Sequence, residues 1–177
     1  MDITGFGHLL SFTDILINHH LVTTLVESWR SETHTFHPLL GETTITLEDV
    51  ALELGLPIDG EAITRVTSGE LVFACQSLLS VAPLKNVVLG NTIKLSWLNN
   101  TFQQLPKDAT NDVVAQYARA HILSLIGSML MSDTSVNRVP LMYLLLLAGL
   151  NNASNFSWGS SVLASLYRAL DHGVDYN

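Results

Sequence analysis

The sequence predicts a mainly α fold: a compact multi-helix domain with one small β-hairpin at about residues 34–46. Three observations predict it. Apolar residues recur at helical spacing in several segments that begin with capping residues or end at glycine or proline. One of these, Thr46 to Pro57, carries a start signal, an apolar face and a stop signal together. Two short runs rich in β-branched and aromatic residues, Thr35–His37 and Thr43–Ile45, flank the permissive Gly41.

Taken in order, the first helix starts at Ser11 or Thr13. Ile15, Leu16, Leu21, Val22, Leu25, Val26 and Trp29 then recur at helical spacing, with His19 and His20 to the side. The two β runs read as a hairpin feeding a helix, with Pro38 keeping the first strand short or at an edge. In that helix Thr46 and Asp49 read as a capping box, and Glu48 and Asp49 sit at the positive end of the dipole. Leu47, Val50, Ala51 and Leu54 share a face; Gly55 closes the helix, Leu56 folds back on it and Pro57 forbids its continuation.

Gly60 ends the following turn, and Glu61–Val66 reads as a short helical turn. Ser68 caps the next helix, whose Leu71, Val72, Cys75, Leu78 and Leu79 point inward until Pro83 stops it. Lys85–Pro106 is least regular: Ser96–Gln104 reads as helix, Val87–Leu89 as strand or helix, and Ile93, Leu95, Trp97, Leu98 and Phe102 are apolar enough to be buried. Thr110 or Asn111 caps the longest helix, Asp112–Met131. Its apolar stripe (Val113, Val114, Tyr117, Ala118, His121, Ile122, Leu125, Ile126, Met129, Leu130) is wide enough to place it at the centre of seven or so helices. Pro140 starts another helix, and Ser157–Ser160 opens the last, with Val162, Leu163, Leu166, Tyr167 and Leu170 inward.

With 177 residues the chain reads as one domain, and its 47% apolar and 14% charged residues exclude disorder. So charge-poor a surface points to a docking face for a partner or a second copy. The net charge is −8, and the eight bases are scattered, which argues against direct DNA binding. The single Cys75 allows no internal disulfide and fits a reducing compartment. Met1-Asp-Ile-Thr lacks the pattern of a secretory leader, and the longest apolar run, Val139–Leu150, is too short to span a bilayer.

Chemistry is hard to find in these residues. His19-His20 and His34-x-x-His37 are the only histidine clusters. Neighbours on a helix diverge by about 100°, and strand residues three apart face opposite sides, so both read as surface histidines. Cys75 lies within an apolar stripe and reads as a structural thiol. Ala51-x-x-x-Gly55 resembles half of a helix-turn-helix, but the acidic, proline-broken Pro57–Glu61 that follows reads as a plain helix stop. Arg119 and Arg138, isolated cations beside apolar segments, read as packing arginines that fork onto carbonyls or carboxylates. Trp29, Trp97 and Trp158 read as core.

The stretch ETHTFHPLLGETTITLEDVALELGLPIDGEAIT resembles the signature of the plant mobile domain family, the aminotransferase-like plant mobile domain of MAINTENANCE OF MERISTEMS-like proteins. Further blocks match in the family's order: Trp29-Arg30, Cys75-x-x-Leu78-Leu79 with Pro83, Leu95-Ser-Trp97-Leu98 with Phe102, Tyr117-Ala-Arg119, Asn137-Arg138-Val139, Trp158-Gly159-Ser160 and Leu166-Tyr167-Arg168. The chain departs at Ser80, where the family has glycine, and at His121, where it has an aromatic. Within these blocks the signature positions are Trp29, Phe36, His37, Gly41, Glu42, Thr46, Asp49, Gly55, Leu56, Pro57, Gly60, Trp97, Tyr117, Arg119, Asn137, Arg138, Trp158 and Gly159.

Family domains continue with further helices, so the resemblance implies a short or C-terminally truncated member. It implies a non-enzymatic interaction module of a nuclear plant protein that acts in transposable-element silencing, genome integrity and meristem maintenance. The implied partner is a serine/threonine type-seven phosphatase-like protein. A transposon-derived nucleic-acid-binding domain is the alternative. The "aminotransferase-like" label finds no support: Lys85 and Lys94 have no phosphate-binding glycine loop nearby, so no cofactor, catalytic residue or metal ligand is expected.

Overall fold

The computed structural model describes residues 4–11, 16–39, 41–64, 71–84, 86–131 and 137–175. In chain order the elements are a 3-10 turn Gly7–Ser11, α1 His19–Ser28, β1 Trp29–Arg30, β2 Thr35–Phe36, α2 Leu47–Leu54, α3 Leu71–Leu79, β3 Val88–Leu89, β4 Thr92–Lys94, α4 Leu95–Thr101, α5 Asn111–Leu125 running into a π turn Ile126–Leu130, β5 Arg138–Pro140, α6 Met142–Leu146, a 3-10 turn Leu150–Asn155 and α7 Trp158–Asp175. The fold is mainly α. Its residues fall into two compact units, Thr64–Ser154 and Thr4–Ile63 with Asn155–Asn177. Thr13, Lys85, Ser68 and the end of the Glu61–Val66 turn lie outside the described residues, as do the side chains of Leu71 and Val72.

In the unit Thr4–Ile63 with Asn155–Asn177, α1 and α2 pack on α7. The sequence places one helix at the centre; the structure has a hub in each unit, α7 here and α5 in the other. α2 forms as its signals require: Thr46 Oγ1 accepts from Asp49 N, Asp49 returns the bond, and Gly55 closes the helix at φ +65°. α1 starts later than expected. Asn18 caps it by accepting from Leu21 N, while Ser11 ends the preceding 3-10 turn. The hairpin also differs. β2 pairs antiparallel with β1, Trp29 opposite Phe36, and the expected partner Thr43–Ile45 contributes only a bridge between Phe36 and Thr43. Two effects explain this. Trp29 and Phe36 are both buried and close over Leu170. Beyond Thr43 the return strand is held by side chains: Thr44 Oγ1 donates to the His34 carbonyl and Tyr167 Oη to the Ile45 carbonyl.

In the unit Thr64–Ser154, α5 packs on α3, α4 and α6. Ala120, Ile122 and Leu123 are buried on it, but His121 and Val114 are exposed, so the buried stripe is narrower than the sequence indicates. α5 with its π turn is long and apolar enough to cross a membrane; it carries Arg119 at its middle, bonded to carbonyls of neighbouring segments, as a core helix does. A three-stranded antiparallel sheet, order β3-β4-β5, was not foreseen as a sheet. Pro140 ends β5 rather than starting a helix. It lies on an edge strand, where its missing N–H costs no ladder bond, and α6 begins at Met142.

Candidate functional site

The signature stretch builds its site from the joint outward. Pro57 to Glu61 runs beside the start of α7. The Pro57 carbonyl accepts from Gly159 N at 2.8 Å, Glu61 N donates to the Asn155 carbonyl at 2.8 Å, and Ser157 N donates to the Glu61 carbonyl at 2.9 Å. Ser157 Oγ donates to the Ile58 carbonyl. Two glycines make this approach possible. Gly60 sits at φ +115°, and a Cβ there would run into the Asn155 carbonyl. At Gly159 a Cβ would lie 2.7 Å from Ile58 Cγ2 and 3.2 Å from the Pro57 carbonyl. Leu56 and Trp158 are buried alongside, Trp158 edge-on to Phe6 at 5.0 Å.

Further along α7 sits an aromatic and polar cluster. Trp29 Nε1 donates to Asp171 Oδ1 at 2.8 Å, and His34 Nε2 lies 3.5 Å from Asp171 Oδ2. The His34 ring stacks on Tyr167, centroids 5.2 Å apart. His34 adopts φ +53°, which carries its side chain back over α7. The Trp29 indole N–H is the main cause holding Asp171 below the usual carboxylate range, with Ser31 and His34 adding and burial opposing.

A second cluster lies on the outer face of β2. Phe36 points into the core, so Thr35 and His37 point out. Thr35 Oγ1 donates to Glu42 Oε1 at 2.8 Å and meets His37 Nε2 at 3.0 Å; His37 Nε2 and Glu42 Oε1 are 3.4 Å apart. Thr33 Oγ1 lies 2.6 Å from Thr35 Oγ1. Gly41 begins the return to Glu42. Among the described residues, no three side chains drawn from His, Cys, Asp and Glu alone gather closely enough to hold a metal ion.

The remaining signature positions lie in the unit Thr64–Ser154. Arg119 Nε and Nη2 donate to the Leu147 and Ala148 carbonyls at 2.9 Å each, and Nη1 donates to the Leu78 carbonyl at 3.3 Å. Burial pulls its pKa below the ordinary value, against the pull of Asp112. Arg138, itself buried, donates through Nε to Thr92 Oγ1 and through Nη2 to the Val87 and Thr92 carbonyls, so it stitches β5 to β4 and to the residue before β3. Asn137, at φ +47°, accepts from Leu95 N. Tyr117 and Trp97 both stand edge-on to Phe102, and Trp97 is half-buried. Cys75 is buried and its thiol is pushed up to about 11 by burial, far from a nucleophile's range.

One surface feature escaped sequence reasoning. No residue of α1 is fully buried. Leu16 (95% exposed), Ile17, Leu21 (57%), Val22 and Leu25 form an apolar ridge along and just before it. Only Val26 joins the Trp29–Phe36–Leu170 core, passing close to Gly173 on α7.

The model of the plant mobile domain matches residues 5–174. Protein MAIN-LIKE 2 of Arabidopsis thaliana is 44% identical over 94% of this chain and 25% of its own length. Protein MAINTENANCE OF MERISTEMS of the same plant is 36% identical over 94% of this chain and 35% of its own length. The Serine/threonine-protein phosphatase 7 long form homolog, also from Arabidopsis thaliana, is 40% identical over 88% of this chain and 12% of its own length. The chain thus spans about a third or less of the length of the curated relatives it matches. No solved structure gives a significant match.

Proposed function

The chain belongs to the plant mobile domain family, and from that premise we propose that it is a non-enzymatic protein-interaction module. The wider role we assign it is that of a nuclear plant protein in transposable-element silencing, genome integrity and meristem maintenance, working with a phosphatase-like partner. The apolar ridge of α1 is the observation that carries the interaction reading. Five large aliphatic side chains stand in water on one short stretch, and a contiguous exposed patch of this kind marks a docking surface. The net charge of −8 disfavours duplex DNA as the occupant. The name of one relative supplies the link to a phosphatase.

The test is a calorimetric titration of the domain with purified phosphatase 7 long form homolog, repeated with Leu21→Asp/Leu25→Asp. Saturable binding that the double variant weakens by more than about tenfold, with far-UV circular dichroism unchanged, supports the reading. No binding to the phosphatase, or equal binding by the variant, overturns it. Tight duplex-DNA binding at near-physiological salt would put the nucleic-acid module in its place.

A further inference from the structure

We propose that Thr35, His37 and Glu42 form a binding site for a divalent first-row transition metal ion, of which Zn²⁺ is the test case. The argument starts from strand register. Thr35 and His37 stand two apart on β2 and its extension, so they share a face, and Phe36 between them is anchored in the core. The antiparallel bridge Phe36–Thr43 sets His37 opposite Glu42, which makes them a cross-strand pair. Three potential ligand atoms therefore converge. Thr35 Oγ1, His37 Nε2 and Glu42 Oε1 make a triangle with edges of 2.8, 3.0 and 3.4 Å. Ligands bonded to an ion at ~2.0–2.2 Å stand about 2.8–3.1 Å apart at right angles and about 3.3–3.6 Å apart at the tetrahedral angle, so the two shorter edges have the spacing of an octahedral face and the longest that of a tetrahedral one.

The ligand set fits the ion class. Imidazole and carboxylate together suit first-row transition ions, whereas Mg²⁺ prefers an all-oxygen shell. The Thr33 hydroxyl, 2.6 Å from Thr35 Oγ1, can accept a hydrogen bond from the Thr35 hydroxyl when Thr35 turns a lone pair to the ion, the usual work of an outer-shell partner. His37 and Glu42 are both substantially exposed, so an ion can enter and keep water in its remaining positions. A chain of net charge −8 draws cations. Bound there, the ion ties β2 to the return segment at Glu42.

Chelator-stripped protein is titrated calorimetrically with Zn²⁺ at near-neutral pH in a non-coordinating buffer. One equivalent binds in the micromolar range, and Mg²⁺ binds at least ~100-fold more weakly. His37→Ala and Glu42→Gln each weaken Zn²⁺ by more than about tenfold, and Thr35→Val by several-fold. His37 and Glu42 are exposed and Thr35 is half-buried with its hydroxyl on the outer face of β2, so all three variants keep the circular dichroism of the parent. His34→Ala and His19→Ala/His20→Ala bind like the parent. Absence of saturable uptake by about 1 mM overturns the site. So do uptake that survives His37→Ala, a Thr35→Val variant of unchanged affinity, and uptake abolished by loss of His19 and His20.

Discussion

Arg119→Met removes three hydrogen bonds and keeps most of the aliphatic stem. The lost partners are the carbonyls of Leu147, Ala148 and Leu78. Each stands at or just past a helix C-terminus, where backbone acceptors have no intrahelical donor: α3 ends at Leu79 and α6 at Leu146. A hydrogen bond from a charged donor contributes about 1.5–3 kcal/mol, and a buried carbonyl left without one costs about 1–3 kcal/mol. The bond to Ala148 is exposed and adds little. Folding also penalises the partly buried guanidinium, as its lowered pKa records, and methionine relieves that penalty. The net loss is about 2–4 kcal/mol, and at ~2–4 °C per kcal/mol for a chain of this size the melting temperature falls by roughly 4–16 °C. Arg119→Lys recovers less than half, since an ammonium cannot fork onto three carbonyls. Thermal unfolding followed by circular dichroism reads the effect. A shift under about 2 °C for Arg119→Met would show that the carbonyls find water at no cost and that the arginine does not hold α3, α5 and α6 together.

Three further outcomes follow from the other unit. Gly60→Ala forces a side chain against the Asn155 carbonyl at φ +115° and costs at least about 2 kcal/mol, measured by urea unfolding. Thr46→Ala removes the cap of α2 and costs about 1 kcal/mol in the same assay, whereas Thr46→Ser is nearly neutral. Asp171 has its pKa depressed below 3.8 in the fold. Its contribution is therefore complete above the unfolded value and is lost as pH falls through the folded one. Asp171→Asn removes this share of the loss of melting temperature below pH ~3.8, which a pH series of melts on both proteins detects.

What was legible in the sequence is what is local. The Thr46–Asp49 box, the Gly55 stop and the Pro57 break each act within a turn, and α2 forms between them. The β structure was only half legible because its pairings answer to packing. Trp29 pairs with Phe36 since both close over Leu170, far along the chain on α7. The β4–β5 pairing joins Thr92–Lys94 to Arg138–Pro140 across α4 and α5, and no local signal announces a partner so distant. The exposure of the α1 ridge is illegible for a related reason: helical spacing reports that a face is apolar, not that the described residues cover it. The His37–Glu42 pair leaves no pattern along the chain because its geometry lies across two segments, with a hydroxyl as third member.

The signature residues divide by what packing explains. Trp29, Phe36, Leu56 and Trp158 fill the interior of one unit, Gly60 and Gly159 let the Pro57–Glu61 strip lie on α7, and Arg119 and Arg138 fasten carbonyls in the other unit. Each has a duty that a substitution would betray in stability. His37 and Glu42 have none of that kind. They are exposed, and their side-chain hydrogen bonds and ion pair are to each other and to a threonine hydroxyl. An exposed pair of this sort adds ~1 kcal/mol or less to folding, too little to explain why a glycine turn and a strand register should bring both onto one face. Stability and metal affinity therefore separate the two groups. Substitutions at Gly60 or Arg119 lower the melting temperature, whereas His37→Ala leaves it nearly unchanged and shows itself only when an ion is offered.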